Sequence, residues 1–413
     1  MSSFAKEFEE AIAAIPQQIL ADTIIKKLSA HGIKLSQKKA HLLAGKLLNG
    51  DPVSSETFID RVRRTLGFAV KETVVAFTED DVRAVEEALD AFVVSLPQTV
   101  QDTIENTSSD LLFALKKDWS REARRQMRER EAFKRRLYQR WGEGLHLLKL
   151  LIAVCQEVGS EISSTERKTA EAPLSAAVLA RLHARGCQIS EEIVCLLEGG
   201  FSDGAMARWR TLHEISAVAA LINEHGEELA ERYLEHDAIE CARAARQYQK
   251  YHTRLGAEAI SDQEMQEFEE RAQFLKEKYG KDFGSSNGWA ANHLGIAKPN
   301  IDQLIAAARI DHMLPYYKIA SHNIHANPRG IFFKLGIIGE TEILLAGPSN
   351  AGLEDPGQNT AISLMQITSA FALMNPTLDD LISMKVIQQL AIQIGDLLVT
   401  AQQQLDRDEA SSK

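Results

Sequence analysis

The chain is sparing with cysteine: Cys155, Cys187, Cys195 and Cys241 are the four in 413 residues. None forms a CxxC pair or a zinc-ligand spacing, so a disulfide framework and a zinc module are both disfavoured. The four read as small apolar residues kept reduced in the cytosol. Long hydrophobic runs are also missing. The most apolar stretch, LHLLKLLIAVCQEV, is too short to span a bilayer and contains Lys149. The opening MSSFAKEFEEAIAAI carries acidic residues early and lacks a long apolar region, unlike a secretory signal. A cytoplasmic protein with no membrane contact is the expectation. Positive charge is in deficit as well. A net charge of −11 disfavours broad adhesion to nucleic acid, which needs a concentrated positive field.

Several chemical signatures are absent too. The Gly/Pro-rich stretch AGPSNAGLEDPGQ lacks the Gly-Lys-Ser/Thr ending of a phosphate-binding loop. There is no HExxH and no repeated ExxH pair, and the serines near the polar clusters lack nucleophile-elbow glycines. No fixed-period repeat is visible, which argues against a solenoid.

What remains is ordinary globular material, 45% apolar and 25% charged, with apolar residues recurring at helical spacing. Ser54-Ser55 precede a helical run, ETFIDRVRRTLGFAV, and Thr78 opens TEDDVRAVEEALDAFVVSL, which Pro97 should end. Residues 1–105 therefore read as a small helical domain. KKDWSREARRQMREREAFKRRLYQR, residues 116–140, holds eleven basic and four acidic residues. Trp119, Ala123, Met127, Leu137 and Trp141 recur about every four residues and predict one buried stripe. Residues 106–165 read as a long basic connecting helix, either a solvated bridge or a surface for RNA through Arg121, Arg124, Arg125, Arg128, Arg135 and Arg136. A helical core domain follows over 166–405, with Gly199-Gly200 and Asp203-Gly204 marking a turn. Its insertion GIFFKLGIIGETEILLAG signals a small β-hairpin. Residues 406–413 have the composition of a disordered tail. The fold class expected is all-α, in two domains, with a C-terminal helical bundle.

Two polar clusters interrupt apolar helices. In ARWRTLHEI, Arg210 and Glu214 are four apart and share a helix face with Arg208 and His213 nearby. They form either a structural ion pair or part of a site. In YYKIASHNIHANPRG, Lys318, Ser321, His322 and His325 lie on one side of a helix that Asn327-Pro328 should stop. A histidine at such an end suits acid–base work, and a lysine two turns earlier could neutralise phosphate charge. The alternatives are a buried hydrogen-bond network, or a metal site using His322 and His325.

GFSDGAMARWRTLHEISAVAALI, AERYLEH, YYKIASHNIHANPRG and LLAGPSNAGLEDP together resemble a widespread bacterial family known as a domain of unknown function, over residues of about 135–400. YYKIASHNIHAN also resembles HEPN-type helical ribonucleases of toxin–antitoxin and antiphage systems, in which an arginine precedes a histidine near a helix end. That resemblance implies His325 as the acid/base on the ribose 2′-hydroxyl and Lys318 in place of the arginine. Ser321 and His322 sit beside them, and Arg210 and Glu214 orient them. It implies no metal or cofactor, and a site completed across a homodimer. Lysine lacks the planar fork with which arginine grips phosphate. The expectation is a metal-independent endoribonuclease with a defence or toxin role. A non-catalytic interaction or ligand-sensing module and a metal-dependent hydrolase are the alternatives.

Overall fold

The computed structural model describes residues 2–49, 78–166, 173–325, 327–339 and 344–411. The helix expected after Ser54-Ser55 lies outside them. By packing, the chain divides into two units, Met1–Arg124 and Arg125–Lys413.

In the first unit, α1 (Ser2–Ala30) packs on α2 (Gln37–Leu48). A small apolar cluster of Ala21, Ile24, Leu28, Ala40 and Ala44 lies between them. Alanine at three of those five positions lets the two backbones approach. The next helix, α3, spans Glu79–Glu166 and is shared between the units. Thr78 caps it: Asp81 N donates to the threonine hydroxyl at 3.4 Å, and Thr78 N donates to Asp81 Oδ2 at 2.7 Å. Pro97 does not end the helix but lies inside it. Proline's fixed φ suits a helix, and the lost backbone bond is tolerable where the chain is open to water, as exposed Val93 and Val94 show it to be here.

The expected continuous buried stripe on α3 is also corrected. Leu137 and Trp141 are buried, but Trp119 is 58% and Met127 66% exposed. Periodicity identifies a face; it does not supply something to cover it.

The second unit is built around α4 (Leu174–Glu198) and α5 (Ser202–Glu235), against which α11 (Glu354–Ala372) packs. Close approach is secured by small residues. A Cβ on Gly186 would sit 3.0 Å from Ile367, and one on Gly144 would sit 2.7 Å from Leu398. Asp203 stands in the first turn of α5 rather than in a turn between helices. Its carboxylate accepts from Leu335 N at 3.1 Å and Asn323 Nδ2 at 3.2 Å, tying the downstream chain to the start of α5. Gly226 breaks α5 with φ +67, a conformation that favours glycine. The chain then continues helically to His236, where α6 (Asp237–Tyr251) begins. α6 packs on α7 (Asp262–Tyr279), which opens with a full capping box between Ser261 and Glu264.

Short elements complete the unit: α8 (Ile301–Ala307), α9 (Leu314–Ile324) and α10 (Pro328–Phe332). α12 (Leu378–Ser411) packs on α11 and runs on through residues 406–411. The region expected to form a β-hairpin has no strand among its described residues. Asn327 instead caps α10, accepting from Gly330 N at 3.0 Å, and of the expected Gly-Glu-Thr turn at 339–341 all but Gly339 lies outside the described residues. A side-chain cap closing one helical turn locally outcompetes strand pairing there. The all-α class holds. Of the described helices, α12 is long and apolar enough to cross a membrane by length and composition, while its Ile387, Ile394, Leu398 and Leu405 are buried in the main core.

Candidate functional site

The polar residues singled out by sequence fall into two groups around Tyr317. On α5, Arg210 Nε lies 3.2 Å from Glu214 Oε1, one turn along the same face. Tyr317 of α9 is buried and donates its hydroxyl to Glu214 Oε1 at 2.6 Å. The Arg210 guanidinium stands 4.7 Å from the Tyr317 ring centroid. Burial, followed by the hydrogen bond to Glu214, raises the Tyr317 phenol pKa, so the hydroxyl stays a donor. These three side chains lock α9 to α5. Arg208 pairs with Glu192 and joins α5 to α4.

His213 lies beneath this triad and is fully buried. It stacks on Trp209 with ring centroids 5.1 Å apart and lies 6.1 Å from Tyr317. Neither of its ring nitrogens has a hydrogen-bond partner among the described residues. Burial, helped by the charge of His312, lowers its pKa to about 4, so the ring is neutral.

The residues of YYKIASHNIHANPRG do not converge as one catalytic set. Lys318 donates to Asp302 Oδ2 at 2.5 Å, drawing its ammonium to α8. The Ser321 hydroxyl donates to the Tyr317 carbonyl at 2.8 Å, within its own helix. His322 Nδ1 accepts from Asn327 Nδ2 at 3.0 Å. His325 sits just past the end of α9, where the backbone turns extended, and its side chain is exposed. The shared stripe therefore ends one residue before the histidine expected to do the chemistry. Among the described residues, no three His, Cys, Asp or Glu side chains converge as metal ligands would.

A second site, missed by the sequence reading, lies where α6 and α7 meet the loops before α8. An open hollow of 780 Å³ is lined by Arg243, Lys276, Lys281 and Lys298, with Ser285 and Asn300 among its polar walls and Asp282 its carboxylate. Arg243 is held in place by Glu240 and the Gly284 carbonyl. The three lysines have no ion-pair partner among the described residues. Lys278, two residues from Lys276, instead binds Glu231 at 2.8 Å and Glu235 at 2.9 Å. The buried Ser285 Oγ also has no partner among the described residues.

The walls of the hollow are fastened from behind. Buried His236 donates from Nε2 to the Ser285 carbonyl at 2.9 Å. Asn287 Nδ2 donates to the Pro299 carbonyl at 3.0 Å, joining the two loops. Phe283 is buried under Tyr279, with ring centroids 4.7 Å apart. Gly288 permits the tight turn, because a Cβ there would lie 2.3 Å from the Phe283 carbonyl oxygen. Cations gathered around an open hollow favour an anion, and the Arg243 guanidinium is already held in place for it. The available sequence signal was the pairing of lysines with glycine turns in KEKYGKDFGSSNG. Lys276 was legible there only as a helix-end cation.

No curated protein and no solved structure matches the chain. Of the two resemblances, the one to a family of unknown function is borne out, over a shorter span than expected that ends before AGPSNAGLEDP: residues 176–340 match a family of unknown function (DUF5677).

Proposed function

We propose that this protein is a non-catalytic ligand-binding module whose hollow beside α6 and α7 takes a small phosphorylated molecule. The supporting observation is the set of three unpaired lysines, Arg243 and the unpartnered Ser285 hydroxyl, gathered in a chain of net charge −11. Four cations against two carboxylates, Asp282 in the wall and the Glu240 that holds Arg243, leave a net positive charge that suits an anion. Lysines act as point charges on phosphate, and hydroxyl and amide groups supply directional bonds. The volume is in the range of small-molecule sites. No aromatic ring lines the hollow, which favours recognition through phosphate rather than by stacking on a base.

Calorimetric titration with inorganic pyrophosphate tests this reading. Binding should weaken at least about tenfold in a Lys281→Ala/Lys298→Ala variant, because two charge-assisted contacts are lost. Absence of binding at millimolar pyrophosphate, or equal binding by the variant, overturns it.

A second reading, the metal-independent endoribonuclease, is favoured by one observation: His325 is exposed at the end of α9, open to a substrate. Against it, Asp302 competes for Lys318. His325→Ala should abolish RNA cleavage with the melting temperature unchanged. A wild-type protein that leaves RNA intact, or a variant that cleaves equally, ends that reading.

A further inference from the structure

We infer that the segment of α3 from Asp102 to Arg124 pairs with the same segment of a second copy, antiparallel and centred on Phe113. Ile104, Leu111, Leu115 and Trp119 are all exposed and recur at spacings of seven, four and four residues. At about 100° per residue these positions fall within one stripe less than a quarter-turn wide. Among the described residues nothing covers this stripe, and an apolar stripe of that length on a single helix favours association.

The occupant is identified by charge. N-terminal to the apolar centre, Asp102, Glu105 and Asp110 are the charged residues, all acidic. C-terminal to it stand Lys116, Lys117, Arg121 and Arg124, against Asp118 and Glu122. A parallel pair would lay acidic on acidic and basic on basic. Reversing one helix about Phe113 sets each acidic half along the basic half of its mate. The reversal sets Leu111 level with Leu115 of the other copy at the centre, because the two numbers are symmetric about 113. Further out, Ile104 lies level with Glu122 and Trp119 with Thr107, so the apolar match is confined to the middle of the segment. The sign change is matched along its whole length: Asp102 lies level with Arg124, Glu105 with Arg121 and Asp110 with Lys116.

Sedimentation equilibrium and cysteine cross-linking test the pairing in the full chain, with the accessible Cys195 and Cys241 replaced by serine. The protein should be dimeric, and Leu115→Glu/Trp119→Glu should shift dissociation to at least tenfold higher concentration with helicity by circular dichroism retained. Ile104→Cys combined with Glu122→Cys should give a disulfide-linked dimer. Ile104→Cys alone should not, since its copies would lie about 27 Å apart along the pair at 1.5 Å per residue. A monomer at all concentrations, or efficient cross-linking through Ile104→Cys alone, overturns the inference.

Discussion

Two tryptophans show how differently the two units use the same pattern. Trp119 and Trp209 both sit on helices among apolar residues spaced three or four apart. Trp209 is fully buried and donates its indole N–H to the Asn359 carbonyl and to Ser363 Oγ, each at 3.0 Å. Trp119 is more than half exposed. The second unit packs its helices around one continuous core that runs from α3 to α12. Among the described residues of the first unit, the buried cluster joins α1 and α2. An amphipathic helix therefore encodes a need for a partner, and the partner comes from elsewhere in the chain or from another molecule.

The sharpest test of that contrast removes each ring in turn. Trp209→Ala should cost about 3–5 kcal/mol, the sum of lost apolar burial, a cavity, and a carbonyl and hydroxyl deprived of their donor. Below the concentration at which copies pair, Trp119→Ala should change the stability of the fold by no more than about 0.5 kcal/mol, as is usual for an exposed position. Urea unfolding followed by circular dichroism reads both. Similar costs at the two sites would mean that Trp119 is covered in solution to the same degree as Trp209. Similar small costs would mean that the second unit repacks around the loss.

Element type was legible in the sequence because burial on one face leaves a period of 3.6, and capping residues such as Thr78 and Ser261 announce themselves. Coverage was not legible. Nothing in the spacing of Trp119 and Met127 differs in kind from that of Leu137 and Trp141, yet one pair is exposed and the other buried. Pro97 misled because a proline's effect depends on whether water can satisfy the freed carbonyl. At the polar clusters, the Arg210–Glu214 pair was readable from its spacing. Tyr317 was not, because an aromatic on an apolar face reveals its hydroxyl partner only when the facing helix is placed. The shared stripe of Lys318 and His325 failed for a local reason: α9 stops at Ile324, so helical geometry no longer applies to the last member. The lysine hollow was legible only in part: Lys276 and Lys281 lie five residues apart, but Arg243 and Lys298 join them through tertiary contacts.

A smaller effect separates the units by pH. The second unit buries three imidazoles: burial lowers the pKa of His183 and of His213 from 6.5 to about 4, and lowers that of His236 as well. His183 lies beside Cys187, with its Nε2 3.2 Å from Thr368 Oγ1, and a Cβ on Gly159 would lie 2.3 Å from its ring. His213 faces Trp209 and Tyr317, with the Arg210–Glu214 pair adjoining in sequence and His312 as a neighbouring imidazole that disfavours its protonation. The sign follows from proton uptake. Above pH 6.5 both folded and unfolded states carry neutral rings, so the full stability is present. Between pH 6.5 and 4 the unfolded chain takes up protons that the folded one refuses, and stability falls as pH drops. Each shift to about 4 corresponds to at most about 3 kcal/mol, at about 1.4 kcal/mol per pKa unit. The urea midpoint of the second unit should therefore fall steadily below pH 6.5. His213→Leu should remove a measurable part of that slope while retaining the apolar contact with Trp209, the rest coming from His183 and His236. A midpoint independent of pH over this window, or a slope unchanged by the substitution, would show that His213 is not the buried neutral ring this packing requires.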